Sequence, residues 1–181
     1  MTGRRGRQVV LNALFCFGLL FSTYAEGLAQ QAGSETREIE RPGRTGLPLP
    51  RFASFRSDEV NLRTGPGVRY PIEWVYRRQG LPVEIVDEFE TWRRVRDWEG
   101  TLGWVHQSML SGRRTLRVQG DQVALRREPS ESAALVAWLE GGVIGELKGC
   151  DGGWCRAEVA GYDGWLMRSD FYGTLPREDL Q

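Results

Sequence analysis

Val60-Asn61-Leu62-Arg63-Thr64-Gly65-Pro66-Gly67, with Gly103-Trp104-Val105-His106-Gln107-Ser108 further on, decides the fold, because the chain then repeats the pattern. Val60-Asn61-Leu62-Arg63 returns as Val123-Ala124-Leu125-Arg126, and Trp92 returns as Trp154. Gly103-Trp104-Val105-His106-Gln107-Ser108 returns as Gly164-Trp165-Leu166-Met167-Arg168-Ser169. The offsets are 63, 62 and 61, so order is kept with two one-residue slips. A repeat of this period means two small units of about fifty residues rather than one domain. Twenty-three Gly and eight Pro set frequent turns, and short alternating runs such as Pro82-Val83-Glu84-Ile85-Val86 read as half-buried strands. The class is therefore all-β.

Module one is expected over 52–112, with Val60, Leu62, Val75, Val83, Ile85, Val95 and Val105 as its core. Module two is expected over 116–173, with Val123, Leu125, Val136, Leu139, Val143, Leu147, Val159 and Leu166 in matching roles. The junction Gly112-Arg113-Arg114-Thr115 is short enough to fix the modules side by side. Residues 174–181 read as a flexible tail. Residues 30–51 are polar and rich in Gly, Pro, Arg and Glu, and read as a disordered linker whose Leu47-Pro48-Leu49-Pro50 runs extended into the first strand.

The amino end has the order of a secretory signal peptide: Arg4, Arg5 and Arg7, then an apolar run from Val9 to Phe21, then small residues. The run is shorter than the roughly 20 residues a membrane span needs. Cleavage after Ala25 or Ala29 fits, giving a signal peptide over 1–29 and a periplasmic location. The formal net charge is zero, and losing Arg4, Arg5, Arg7 and Glu26 leaves about −2. Nucleic-acid binders carry a basic excess that is missing here.

Export leaves Cys150 and Cys155 in an oxidising compartment. A two-residue Gly152-Gly153 turn makes Asp151 face Trp154 and Cys150 face Cys155. The latter is a non-hydrogen-bonded pair with Cα atoms about 4.5 Å apart, which suits a disulfide. A redox dithiol is the alternative, but it favours Cys-x-x-Cys at a helix start. At the same offset, module one has Glu88 opposite Arg93, so an ion pair is expected where module two has its disulfide.

The pairing of Val-Asn-Leu-Arg-Thr-Gly-Pro-Gly at 60–67 with Gly-Trp-Val at 103–105 resembles the bacterial SH3-like (SH3b) domain, in the exported tandem form of Gram-negative bacteria such as alphaproteobacteria. The resemblance covers about 52–173. It implies a strongly bent barrel of five to six strands per module and a binding role toward cell-wall peptides or periplasmic proteins. It implies no catalysis. Ala124 in place of Asn61, and Arg127-Glu128-Pro129 in place of Thr64-Gly65-Pro66, make module two the looser match.

The residues themselves argue against an enzyme. His106 is the sole histidine, too few for a zinc hydrolase, and it follows Gly-Trp-Val, where the resemblance to the SH3-like family implies a structural turn. Both exported cysteines are expected to be bonded. Glu84, Glu88 and Glu90 read as a solvated hairpin tip rather than a glycosidase pair. No metal or cofactor is expected. Trp92, Trp104, Trp154 and Trp165 read as packing residues. Tyr70, Trp74, Tyr76 and Trp98 belong to module one alone, with Trp138 the nearest counterpart of Tyr76. Together with Arg63, and with Arg77 and Arg78 nearby, these four form the expected ligand-binding set, an aromatic and cationic groove for a peptide bearing carboxylates. The alternative for some of them is to fill the space between modules. The expected partner is peptidoglycan or its peptide stems; the second choice is a protein of a cell-envelope complex.

Overall fold

Apolar residues alternate with polar ones along each short run, and each run becomes a strand with one face inward. The computed structural model describes residues 41–180. The expected signal peptide and the first part of the expected linker lie outside them. A hairpin of β1 (Arg41–Pro42) and β2 (Pro48–Leu49) comes first. Module one follows as β3 (Arg51–Phe55), β4 (Val60–Arg63), β5 (Ile72–Tyr76), β6 (Pro82–Phe89), β7 (Trp92–Arg96), β8 (Leu102–His106) and β9 (Leu110–Ser111). Module two is β10 (Thr115–Val118), β11 (Gln122–Arg126), β12 (Leu135–Glu140), β13 (Ile144–Asp151), β14 (Trp154–Val159), β15 (Tyr162–Met167) and β16 (Phe171–Tyr172).

The two sheets have one topology. Module one runs β5-β4-β8-β7-β6-β3-β9 and module two runs β12-β11-β15-β14-β13-β10-β16. Each counts seven strands because a two-residue closing strand adds to the expected five or six. The bulges repeat as well. Pairing slips between Ile85 and Asp87 in module one and between Leu147 and Gly149 in module two. It slips again between Leu62 and Arg63, and between Leu125 and Arg126. A bulge bends its strand, so repeated bulges give both modules the same curl. The register places both slips of the repeat in loops, one between β5 and β6 and its equivalent, the other between β7 and β8 and its equivalent.

The repeated Gly-Trp has a physical reason. A Cβ on Gly103 would collide with the Leu62 side chain, and a Cβ on Gly164 would meet Leu125 Cγ at 2.7 Å. Leu62 and Leu125 are fully buried, so only glycine lets β8 and β15 cross them. Each module has its own core. Phe55, Val60, Leu62, Val83, Val95 and Val105 fill the first; Leu116, Leu125, Ala157, Val159 and Leu166 fill the second. Val75 is not a core residue as expected: it lies opposite Asn61, while its neighbour Tyr76 lies opposite Val60 and points inward.

Cys150 and Cys155 are bonded across β13 and β14, in the register read from the sequence, with Cα atoms 4.0 Å apart. Glu88 faces Arg93 at the equivalent place, with Arg93 Nε 3.4 Å from Glu88 Oε1. Glu84 and Glu88 are not a solvated tip, since both are buried. Glu84 is paired with Arg96 at 3.0 Å. Glu88 also accepts from Arg51 Nη2 at 2.7 Å, Thr45 N at 2.9 Å and Thr45 Oγ1 at 2.9 Å. Burial pushes its pKa up, but the Thr45 and Arg51 hydrogen bonds outweigh that and hold it below the ordinary value.

These contacts change the expected linker. Residues 41–50 form a hairpin seated on Glu88, and Leu49 belongs to the module-one core. The expected tail is likewise docked as far as Leu180. Cys150 N donates to Leu180 O at 2.9 Å, and Arg114 grips Glu178 with Nη1–Oε1 at 2.5 Å. Short apolar and charged residues in polar segments give no periodic signal, so these attachments need the third dimension to be seen.

The modules are joined through more than the junction. Thr115 Oγ1 donates to Gly80 O at 2.7 Å, Arg78 Nη1 to Gly142 O at 3.2 Å, and Tyr172 OH to Arg96 O at 2.8 Å. The Phe52 and Tyr172 rings meet edge to face at 5.0 Å, and Ile144 packs on the module-one core.

Candidate binding surface

The sequence picked Arg63, Tyr70, Trp74, Tyr76 and Trp98, and the fold does not keep them as one groove. Arg63 lies between Ile72 and Trp104 across the sheet, but its guanidinium turns to its own loop. Nη1 donates to Tyr70 O at 2.7 Å and Val68 O at 3.1 Å. Arg126 does the same in module two, donating to Ala133 O at 2.9 Å. The Arg of the repeated Leu-Arg is thus a brace that shapes the loop after β4 or β11.

Tyr76 is 4% exposed, and its hydroxyl donates to Asp97 Oδ2 at 2.7 Å. Burial, then the Asp97 hydrogen bond and charge, drive its phenol far above the ordinary range. Trp98 is half-buried, with its ring 6.2 Å from Tyr76 and the Arg117 guanidinium of module two 4.4 Å above it. It fills the space between modules, as one of the two sequence readings had it. The module-two counterpart of Tyr76 is Leu139, not Trp138, because Val123 pairs with Leu139 as Val60 pairs with Tyr76. Trp138 corresponds to Val75.

Tyr70 and Trp74 stay at the surface. Tyr70 is half-buried over Gly65, with Arg69 5.3 Å above its ring. Trp74 is 58% exposed on β5, the open edge of the sheet, and lies opposite buried Leu62. Val68 and Ile72 are exposed beside it in sequence. Apolar side chains, one of them a large ring, thus gather on an edge strand and the loop that Arg63 braces. Module two exposes Leu135 and Trp138 on the matching edge, but its loop carries Glu128, Pro129, Ser130, Glu131 and Ser132. The apolar surface is therefore fuller on module one.

Arg77 pairs with Glu59 at 3.1 Å, and Arg78 bonds to Gly142, so neither joins Trp74. His106 caps a short turn at Gln107–Met109, its Nδ1 2.7 Å from Ser108 Oγ and its ring edge-on to Trp92. A cleft of about 420 Å³ opens between the modules, lined by Arg56 and Gln79 of module one and Glu146 and Glu158 of module two. Nothing in the sequence signalled this cleft, because its walls are distant in the chain.

The geometry defines a class: two strongly bent, seven-stranded modules of one topology, tandem and locked together. The Bacterial SH3 domain profile matches residues 56–112 and 119–171, and the chain belongs to that family. A comparison with curated protein sequences returns no match. Among solved structures, the chain is similar to NlpC2 from Trichomonas vaginalis, at 12% identity and a TM-score of 0.33, over 72% of this chain and 50% of that one. It is also similar to an NlpC/P60 family protein from Bacillus cereus, at 18% identity and a TM-score of 0.31, over 68% and 57%. The chain thus spans about half the length of these structures. Membership of the family and a buried disulfide together suggest an extracytoplasmic protein. Among the described residues no helix is long and apolar enough to cross a membrane.

Proposed function

We propose that this chain is an exported, non-catalytic binding protein that recognises peptidoglycan or its peptide stems in the periplasm. One observation carries the reading. Trp74 stands 58% exposed on the edge strand of module one, which also exposes Ile72, where the fold does not require it. Its equivalent in module two is Ala137, paired with Leu125 as Trp74 is paired with Leu62. A large ring held at an edge is a binding anchor. Membership of a family of cell-wall-associated modules supports the same reading.

Co-sedimentation of the purified protein with isolated peptidoglycan sacculi tests it, with Trp74→Ala alongside. Sedimentation that resists salt and is lost in Trp74→Ala is the expected result. A folded, oxidised protein that stays in the supernatant refutes wall binding. The second reading is an adaptor for a cell-envelope protein. It is favoured by the edge position of β5, since an open edge flanked by apolar side chains accepts an added strand.

A further inference from the structure

We infer that the cleft between the modules is a second site, which takes a short peptide by its free charged ends. The inference rests on the reading of this chain as a binder of wall peptides, and it names where the peptide's carboxylate and amine are held. The cleft exists only because the modules are locked. Thr115 Oγ1 bonds to Gly80 O at 2.7 Å and Ser54 Oγ to Arg113 O at 2.9 Å; Thr115 lies on β10, which pairs with β13, so β3 and β13 are held as its two walls. At about 420 Å³ it is within the usual size range of small-ligand sites.

Its charges are laid out by module. Arg56 stands on module one; Glu146 and Glu158 stand on module two. Arg113 of the junction is occupied by Glu146 at 2.6 Å, and Lys148 bridges Glu146 and Glu158 at 3.2 Å each. Arg56 is different. Its Nε donates to Leu110 O at 3.2 Å, which anchors the guanidinium, and no carboxylate among the described residues pairs with it. Gln79 Nε2 holds the Arg56 carbonyl at 2.7 Å and steadies the backbone. An anchored guanidinium with both terminal nitrogens available is the group that takes a carboxylate in bidentate fashion.

The five charges of the cleft, with Lys148, sum to one positive, so the ligand brings the carboxylate in excess. Glu158 is 48% exposed at its side chain and can take an ammonium from the ligand. The floor is Phe55, Gly80, Ile144 and Gly145, with Phe55 fully buried. It offers no exposed ring for a sugar to stack on, and so the occupant is a peptide rather than a glycan.

The test is amide NMR on the full chain, titrated with Ala-Glu-Ala-Ala carrying free ends, which has one carboxylate in excess, and with the same peptide acetylated and amidated. Shifts at Ser54, Gly80 and Gly145 are expected with the free peptide. Arg56→Gln should weaken binding at least about tenfold, and Glu158→Gln about threefold. Arg56 is at the surface, and Glu158→Gln is a second variant on the other module, so the test survives a folding defect in either. Shifts centred on Tyr70, Ile72 and Trp74 overturn the cleft as the site. Equal binding of the blocked peptide overturns recognition by charged ends. Absence of shifts overturns the inference; if the protein still sediments with sacculi, the proposed function stands without it, and if it does not, both fall.

Discussion

Glu88→Gln should destabilise the protein by about 3 kcal/mol at pH 7. Glu88 is the point at which the hairpin over 41–50, β3 and the β6–β7 pair meet. Its side chain is 1% exposed, and those of its partners Arg93 and Arg51 are 6% and 18% exposed. Removing one partner of a buried ion pair costs about 3–5 kcal/mol, because the other charge stays buried. Glutamine keeps the volume and a carbonyl acceptor. Arg93 also retains Glu90 O and Trp92 O at 2.9 Å and Gln107 Oε1 at 2.7 Å, which places the loss at the lower end. With an m-value of about 2 kcal/mol/M, the urea midpoint drops by about 1.5 M. The pH dependence is a second signature. The folded pKa of Glu88 lies below the ordinary 4.5, so its contribution is fully present above that value and is lost as pH falls through the folded pKa. Wild type and variant should therefore converge in acid. A loss under about 1 kcal/mol at pH 7, or a gap that persists in strong acid, would refute the account of Glu88 as a charged hub.

Reduction of Cys150–Cys155 should cost about 2 kcal/mol, since the closed loop is short, and a thermal melt with and without reductant measures it. Gly103→Ala and Gly164→Ala should each cost about 1–3 kcal/mol by driving a methyl into Leu62 or Leu125, read by urea unfolding of each variant. Tyr76→Phe should cost about 1–2 kcal/mol by leaving Asp97 Oδ2 without its donor. In a spectroscopic alkaline titration, Tyr76 and Tyr172 should stay protonated while the protein is folded. Burial raises both phenols, so their contribution is full below the ordinary value of 10.0 and lost as pH rises beyond it; alkaline unfolding should release both together.

The repeat made the fold legible. Offsets of 63 for Val60-Asn61-Leu62-Arg63 and 61 for Gly103-Trp104, with order kept, located two sheets of one topology, and the Gly152-Gly153 turn located the Cys150–Cys155 bond. The offset of 62 that relates Trp92 to Trp154 exposed Glu88 and Arg93 as the counterpart of that bond, although not the links from Glu88 to Thr45 and Arg51. The candidate site was legible only in part. Residue type alone marks Tyr70, Trp74, Tyr76 and Trp98 alike, while side-chain direction separates them. One register step puts Tyr76 inward beside Val60, and the second module covers Trp98 with Arg117. Arg63 read as a ligand contact because the unmet carbonyls of its loop are invisible in sequence. The cleft beside Arg56 depends on how two separately folded modules meet, which no local pattern encodes.

The most direct measurement is photo-crosslinking in living cells, with a benzophenone amino acid placed at position 72, exposed on the same strand, so that Trp74 is kept. The account predicts high-mass adducts that collapse on muramidase digestion to protein carrying muropeptide masses. A discrete protein adduct that resists muramidase would contradict wall recognition and make the chain an adaptor.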